Sequence, residues 1–441
     1  LTSTVETTAT TVSMPEGGRL VGSVSVPPSK SYTHRATLMA SLAEGESIVS
    51  NALLSRDTKA TIAACRAMGA TLEARELTLR ISGTAPKTPD DIVNVENSGT
   101  TLRFMTSVFA TAPSGYTVLS GDSSIRRRPM QPLLDTLGEL GVEAWSTRMN
   151  GCAPVVVKAG GINGGAATIR GDVSSQFVSS LLISAPMARR DTSLRVADAV
   201  SRPYIEATLW LSRLFGARVE REGYTRFMVE AGQSYKPTRF TIPADFSSAS
   251  FIVAAVALMG GKVELKNLNP ELPQGDSAIL KISEGMGVKV REGERSVTVE
   301  SDGDSLIGGT YNLGDTPDLL PVVAALALRS DAPVEVVGAA HARFKETDRI
   351  AILAKELSKL GVRIEERPDG MKIHPVDRLR PALLDAHDDH RMFMAFSLAS
   401  MLIPGGTPVL GEESLDVSYP AFLEDLKRLG ATVKRREGAA R

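Results

Sequence analysis

Apolar positions recur at helical spacing in "ATIAACRAMGATLE", "PLLDTLGELGVEAW", "ATLWLSRLFGARVE", "AILKISEGMGVKVR", "AILAKELSKLGVRIE" and "AFLEDLKRLGATVK". Each run closes on a glycine and passes into the period-two alternation of a strand, so each reads as an amphipathic helix followed by a strand. The closing glycine fits the position just past a helix end, where a left-handed backbone costs glycine little. After five of the six, a hairpin pattern follows, as in "GVKVREGERSVTVES". Between these runs stands a second kind of segment, apolar on most faces and opened by small polar residues. It occurs as "KSYTHRATLMASLA", "NSGTTLRFMTSVFA", "SSQFVSSLLISAPM", "DFSSASFIVAAVALMGG", "DTPDLLPVVAALAL" and "DHRMFMAFSLASML". A helix apolar all round belongs in a core.

Both segments keep one period. The closing glycines Gly69, Gly141, Gly216, Gly287, Gly361 and Gly430 are spaced by 72, 75, 71, 74 and 69 residues. The openings of the core helices, marked by Lys30, Gly99, Ser175, Ser247, Pro317 and His390, are spaced by 69, 76, 72, 70 and 73. That repeat is longer than those of common solenoids, so a stacked rod is not the natural reading. Six units are expected to form two lobes of three. The sixth ends at "GATVKRREG" without a returning strand, whereas "GRLVGSVSVP" is a strand without a unit. The simplest repair lets that N-terminal strand join the C-terminal lobe. The expected division is residues 14–28 with 240–434 in one lobe and 29–239 in the other. Chain crossings then fall near Pro27–Pro28 and Tyr235–Pro243, and the polar helix starts gather in a cleft between the lobes. Residues 1–13 and 435–441 are expected to be disordered tails.

Composition narrows the function more than the fold. Apolar residues make up 42% and charged residues 23% of 441, ordinary for a globular protein. A net charge of −1 supplies no global field for nucleic acid or an anionic membrane, so any anion site must be local. Cys65 and Cys152 alone imply no disulfide framework and fit a reducing compartment. The opening "LTSTVETTATTVS" lacks the charged-then-apolar layout of a signal peptide, and no apolar run reaches membrane-spanning length.

The chemistry concentrates at the helix starts. "PPSKSYTHR" places Lys30, Ser31 and Arg35 where free N–H groups and dipole charge would seat an anion, or simply where hydroxyls cap a helix. Asn97, Gly99, Thr100 and Arg103 open the second core helix, and Ser174, Ser175 and Gln176 the third. The triplet Arg126–Arg128 reads alone as a solvated basic turn or an RNA patch. Lys345 and Arg349 share a helix face, as anion ligands or as partners of Glu346 and Asp348 in a salt-bridged cap. "HDDHR" offers His387 and His390 for a metal, but Arg391 would repel a cation and suits an anion. Asp318 is the odd member, a carboxylate among cations. It is either a helix-dipole partner or, kept ionised by its neighbours, a base for a substrate hydroxyl.

Lys30-Ser31-x-x-x-Arg35, "NSGTTLR", "RRPM", "SSQF", "SRPYIE", "DFSSAS", "KETDR" and "DHRM" occur in an order and spacing that resemble the 5-enolpyruvylshikimate-3-phosphate synthase family over residues 14 to 434. The resemblance implies an α/β fold of two lobes with three βαβαββ units each. It implies transfer of the enolpyruvyl group of phosphoenolpyruvate to the 5-hydroxyl of shikimate 3-phosphate, with release of phosphate and without metal or organic cofactor. Shikimate 3-phosphate would be held by Lys30, Ser31, Arg35, Ser174, Ser175, Gln176, Ser201, Tyr204, Asp318 and Lys345. Phosphoenolpyruvate would be held by Lys30, Gly99, Arg128, Gln176, Arg349 and Arg391. Asp318 would take the hydroxyl proton, with Glu346 and Lys30 exchanging protons at the methylene and leaving group. The inhibitor glyphosate would press on Gly99 as phosphoenolpyruvate does. A cytoplasmic monomer with no nucleic-acid or membrane partner is implied.

Four positions depart from the family pattern. His34 and His341 replace common asparagines, Phe104 replaces a common proline, and Val417 stands where many bacterial members have a lysine. Two alternatives remain. UDP-N-acetylglucosamine enolpyruvyltransferase usually carries a cysteine in the loop that reads "SGDSSIRRRP" here. A non-catalytic phosphometabolite-binding protein would have had no need of Asp318, Lys345 and Glu346 together.

Overall fold

The computed structural model describes residues 7–439. Backbone contacts divide the chain into two compact units. One takes in the chain up to Pro27 together with Ala244–Glu271 and everything from Gly275; the other is Pro28–Pro243 with Leu272–Gln274. Each is built round its own apolar core.

Among the described residues, twelve α-helices alternate between the two kinds of segment. The core helices are α1 (Lys30–Leu42), α3 (Gly99–Ala110), α5 (Ser175–Ser184), α7 (Phe246–Met259), α9 (Leu320–Ala327) and α11 (His390–Met401). The amphipathic ones are α2 (Arg56–Ala67), α4 (Gln131–Glu139), α6 (Arg202–Leu214), α8 (Ala278–Gly285), α10 (Arg349–Ser358) and α12 (Phe422–Leu429). Every residue of α3 and α11 is buried, as their all-round apolarity requires. The six closing glycines all adopt left-handed backbone, with φ between +82° at Gly141 and +119° at Gly430. An L side chain there would be strained, so the glycines end the amphipathic helices.

Among the described residues, six four-stranded sheets share one order, a lead strand, a parallel second strand and an antiparallel pair, and in five of them that pair is a hairpin whose later strand lies inward. Gly165–Arg170, Thr192–Ala197, Arg226–Val229 and Glu220–Glu222 show it in full. Two lead strands are exchanged. Leu20–Ser25 precedes α1 in sequence but pairs with Gly261–Lys266, and Arg239–Thr241 precedes α7 but pairs with Ile48–Ser50.

Both tail expectations need correction. Thr7–Ser13 is a strand lying between Pro408–Leu410 and Thr432–Ala439. It supplies the strand the sixth repeat lacks, and residues 435–439 of the second expected tail lie in the strand beside it. The polar composition of "TTATTVS" suggested disorder, but β-branched threonines favour a pleated backbone. Ala9, Thr10 and Val12 are buried there. Residues 1–6 and 440–441 lie outside the described residues.

Candidate active site

In the Pro28–Pro243 unit, the polar helix starts do different jobs. Lys30 opens α1 with its Nζ 3.0 Å from Asp57 Oδ2, in the first turn of α2. Asp57 is buried, and its other carboxylate oxygen has no hydrogen-bond partner among the described residues. Arg35, 2% exposed, donates from Nε to Thr208 Oγ1 at 2.7 Å, from Nη1 to the Ser31 carbonyl at 3.0 Å and from Nη2 to the Tyr204 carbonyl at 3.1 Å. Burial pulls its pKa down to about 10, which still leaves it charged at neutral pH. Arg35 therefore ties the start of α1 to the start of α6. Phe104, the residue in place of proline, lies under this guanidinium at 5.1 Å. Ser201, left-handed at φ +52°, is the cap residue of α6, with Tyr204 in its first turn.

Arg128 is buried, unlike exposed Arg126 and Arg127, so the triplet divides into two solvated residues and one interior cation. Its Nη2 donates to Asn97 Oδ1 at 2.8 Å and to Ser124 Oγ at 3.2 Å, and Asn97 is oriented by Asp122 at 2.6 Å. Among the described residues no carboxylate pairs with Arg128. A buried cation held only by neutral groups is a seat for an incoming anion. Gly99 stands beside it, where an added Cβ would lie 2.8 Å from Arg128 Nη1. Gln176 accepts from Arg103 at 2.6 Å and donates to Thr100 Oγ1 at 2.8 Å, which fixes its amide. Ser174 caps α5, receiving the Gln176 N–H, and Ser175 is buried next to it.

The other unit gathers cations and carboxylates. Asp318, in the 3-10 turn Pro317–Leu319 ahead of α9, lies 2.7 Å from Arg349, 3.2 Å from Arg391 and 3.5 Å from Lys345. Glu346 meets Arg349 at 2.7 Å. Asp389, fully buried, takes the Arg349 Nε at 2.8 Å and caps α11 by accepting the Arg391 N–H at 3.0 Å. Burial alone would lower the Arg349 pKa, but Asp389, Glu346 and Asp318 together push it above its ordinary value. Burial lowers the pKa of Lys345, opposed by Asp318 and reinforced by Arg349. His341 is buried beside Lys345, and burial brings its pKa to about 4, so it is neutral at pH 7. His34 is buried, with Nδ1 2.6 Å from Thr61 Oγ1. Val417 packs into the interior in the turn Glu412–Val417.

Asp57 and Asp389 were missed by sequence reasoning. Asp389 left a signal, an aspartate at the cap position just ahead of an apolar helix. Asp57 left only its place in the first turn of α2. No group of three or more His, Cys, Asp and Glu residues fit to hold a metal occurs among the described residues, and no helix there is long and apolar enough to cross a membrane.

These geometries can seat phosphate and carboxylate groups on fixed cations and offer one carboxylate, Asp318, as a base. The family model described as EPSP synthase (3-phosphoshikimate 1-carboxyvinyltransferase) matches residues 14–426. The chain is 45% identical over 416 residues to the 3-phosphoshikimate 1-carboxyvinyltransferase of Methanothermobacter thermautotrophicus, covering 94% of this chain and 97% of that one. Identity to the enzyme of the same name from Methanocaldococcus jannaschii is 41% over 419 residues, with the same coverage. Among solved structures, EPSP synthase from Acinetobacter baumannii superposes with a TM-score of 0.80 at 26% identity, over 97% of this chain and 100% of the other.

Proposed function

The chain belongs to the EPSP synthase family, and from that premise we propose how its residues divide the labour of moving an enolpyruvyl group from phosphoenolpyruvate to the 5-hydroxyl of shikimate 3-phosphate. Lys30, Ser31, Ser174, Ser175, Gln176, Ser201, Tyr204 and Lys345 hold shikimate 3-phosphate, and Arg35 helps by fixing Ser31 and Tyr204. Lys30, Gly99, Arg128, Gln176, Arg349 and Arg391 hold phosphoenolpyruvate. Asp318 accepts the 5-hydroxyl proton as that oxygen adds to the enolpyruvyl carbon. Glu346 and Lys30 exchange protons at the methylene and the departing phosphate. The cations stand in place before the reaction begins, so charge that develops on the phosphate and carboxylate meets fixed positive groups. The proposal includes a cytoplasmic monomer, the compartment in keeping with two free thiols.

One observation carries the phosphoenolpyruvate assignment: buried Arg128, held by Asn97 and Ser124, without a carboxylate among the described residues. Arg128→Gln should raise KM for phosphoenolpyruvate about 30-fold or more, the value of a charge-assisted contact, with little change in KM for shikimate 3-phosphate. Equal rises in both would remove Arg128 from the assignment. Gly99→Ala tests the same seat from the other side. Its φ is not left-handed, so the backbone is not strained, and the new methyl meets the tip of Arg128. KM for phosphoenolpyruvate should rise several-fold, with the glyphosate inhibition constant rising further. Thermal stability should stay near wild type. A large loss of stability with equal rises in the two constants would make Gly99 a turn residue only.

The alternatives have less support. The loop ahead of Arg128 holds Ser123 and Ser124 and no cysteine, and the relatives reported above carry the 3-phosphoshikimate name.

A further inference from the structure

His34 has no part in the reaction as assigned above. It is 1% exposed, one turn after Lys30 on α1, and its Nε2 has no hydrogen-bond partner among the described residues. Its Nδ1 lies 2.6 Å from Thr61 Oγ1 on α2. Thr61 Oγ1 lies 2.6 Å from Thr101 Oγ1 on α3, which in turn lies 2.6 Å from the hydroxyl of Ser98, the cap residue of α3. Ser98 Oγ also accepts the Thr101 N–H at 3.2 Å. All four side chains are buried, so one chain of hydrogen bonds runs through the interior across three helices. A hydroxyl both donates and accepts, so the chain closes with either neutral tautomer of the histidine. Burial, then the Lys30 and Arg35 charges, hold the His34 pKa well below its ordinary value, which keeps the ring neutral at pH 7. Ser41 and Thr106 show the commoner habit of a helical hydroxyl, a bond to the carbonyl four residues back in the same helix. Thr61 instead bonds α1 on one side and α3 on the other.

We propose that His34, Thr61, Thr101 and Ser98 are positioning residues whose buried chain sets the start of α3 against the start of α1, and so holds Gly99 at its working distance from Lys30. Both ends of the chain lie beside residues assigned to phosphoenolpyruvate. Thr61 is one turn after Asp57, as His34 is one turn after Lys30, so Lys30–Asp57 and His34–Thr61 are successive rungs between α1 and α2. At the other end, Ser98 directly precedes Gly99. Apolar contacts alone would let the helices slide past one another, because burial has no direction. Short hydrogen bonds tolerate little change of distance or angle, and a satisfied buried network fixes one arrangement.

The inference rests on the placement of phosphoenolpyruvate between Lys30 and Gly99, and steady-state KM values for both substrates separate the two. Thr61→Val keeps the volume and branching and removes the middle hydroxyl. Its KM for phosphoenolpyruvate should rise about fivefold to tenfold, the scale of one buried hydrogen bond. Shikimate 3-phosphate has no assigned contact on α3, so its KM should stay within about twofold of wild type. His34→Leu should behave as Thr61→Val does. His34→Asn carries its amide oxygen and nitrogen on Cγ, as the ring carries Nδ1, and can donate or accept the same bond, so it should stay near wild type. If His34→Leu fails to fold, Thr61→Val and His34→Asn decide the matter. No rise for phosphoenolpyruvate in Thr61→Val, equal rises for both substrates, or a rise in His34→Asn as large as in Thr61→Val would overturn the role of the network. Arg128→Gln tests the placement itself. An unchanged KM for phosphoenolpyruvate there would bring down placement and network together, whereas a rise there with none in Thr61→Val would bring down the network alone.

Discussion

Asp318→Asn should lower kcat by about 10²-fold or more, the usual contribution of a positioned general base. Asparagine keeps the shape, but its single oxygen can accept from only one of Arg349, which meets Oδ1 at 2.7 Å, and Arg391, which meets Oδ2 at 3.2 Å, and it cannot take a proton. The substitution also removes one negative charge beside three cations. Affinity for the anionic substrates should therefore hold or tighten while turnover falls. That opposite movement distinguishes a lost base from a damaged site, which would weaken binding as well. Rapid-quench turnover together with equilibrium binding of shikimate 3-phosphate gives both numbers. Near-normal turnover would remove Asp318 from the chemistry.

The second large effect is on stability. Arg349 is 1% exposed and spans Asp389, Asp318 and Glu346, at 2.8, 2.7 and 2.7 Å. Arg349→Ala should cost about 3–5 kcal/mol, because it leaves buried carboxylates without their cation. Arg349→Lys keeps the charge without the planar fork and should lie between. Urea midpoints at pH 7 test this. A midpoint within experimental error of wild type at pH 7 would mean that Asp389 finds other partners.

Much of the fold was legible because its punctuation is local. A left-handed residue just past a helix end strongly favours glycine, so Gly69 through Gly430 marked the period directly. All-round apolarity likewise identified α3 and α11 as interior helices. The strand Thr7–Ser13 was not legible, since its burial depends on two partners some 400 residues away in sequence. Threonine serves equally in a solvated tail and in a sheet centre.

The residues expected at the site could be named from motifs, but what each one touches could not. Arg35 reads as a ligand cation, yet three of its hydrogen bonds go to Ser31, Tyr204 and Thr208. Arg126, Arg127 and Arg128 look alike in sequence, and only burial distinguishes the third. Asp57 meets Lys30 across 27 positions and Asp389 holds Arg349 across 40, separations that no local pattern spans. His341 could not be assigned a charge until burial beside Lys345 made it neutral.

The most direct test of the account is release of inorganic phosphate from phosphoenolpyruvate by the purified protein, with and without shikimate 3-phosphate and with and without chelator. The account predicts one phosphate released per phosphoenolpyruvate consumed, only when both substrates are present, at a rate the chelator does not change. Release from phosphoenolpyruvate alone at the same rate, or activity lost to chelator and restored by a divalent metal, would contradict it.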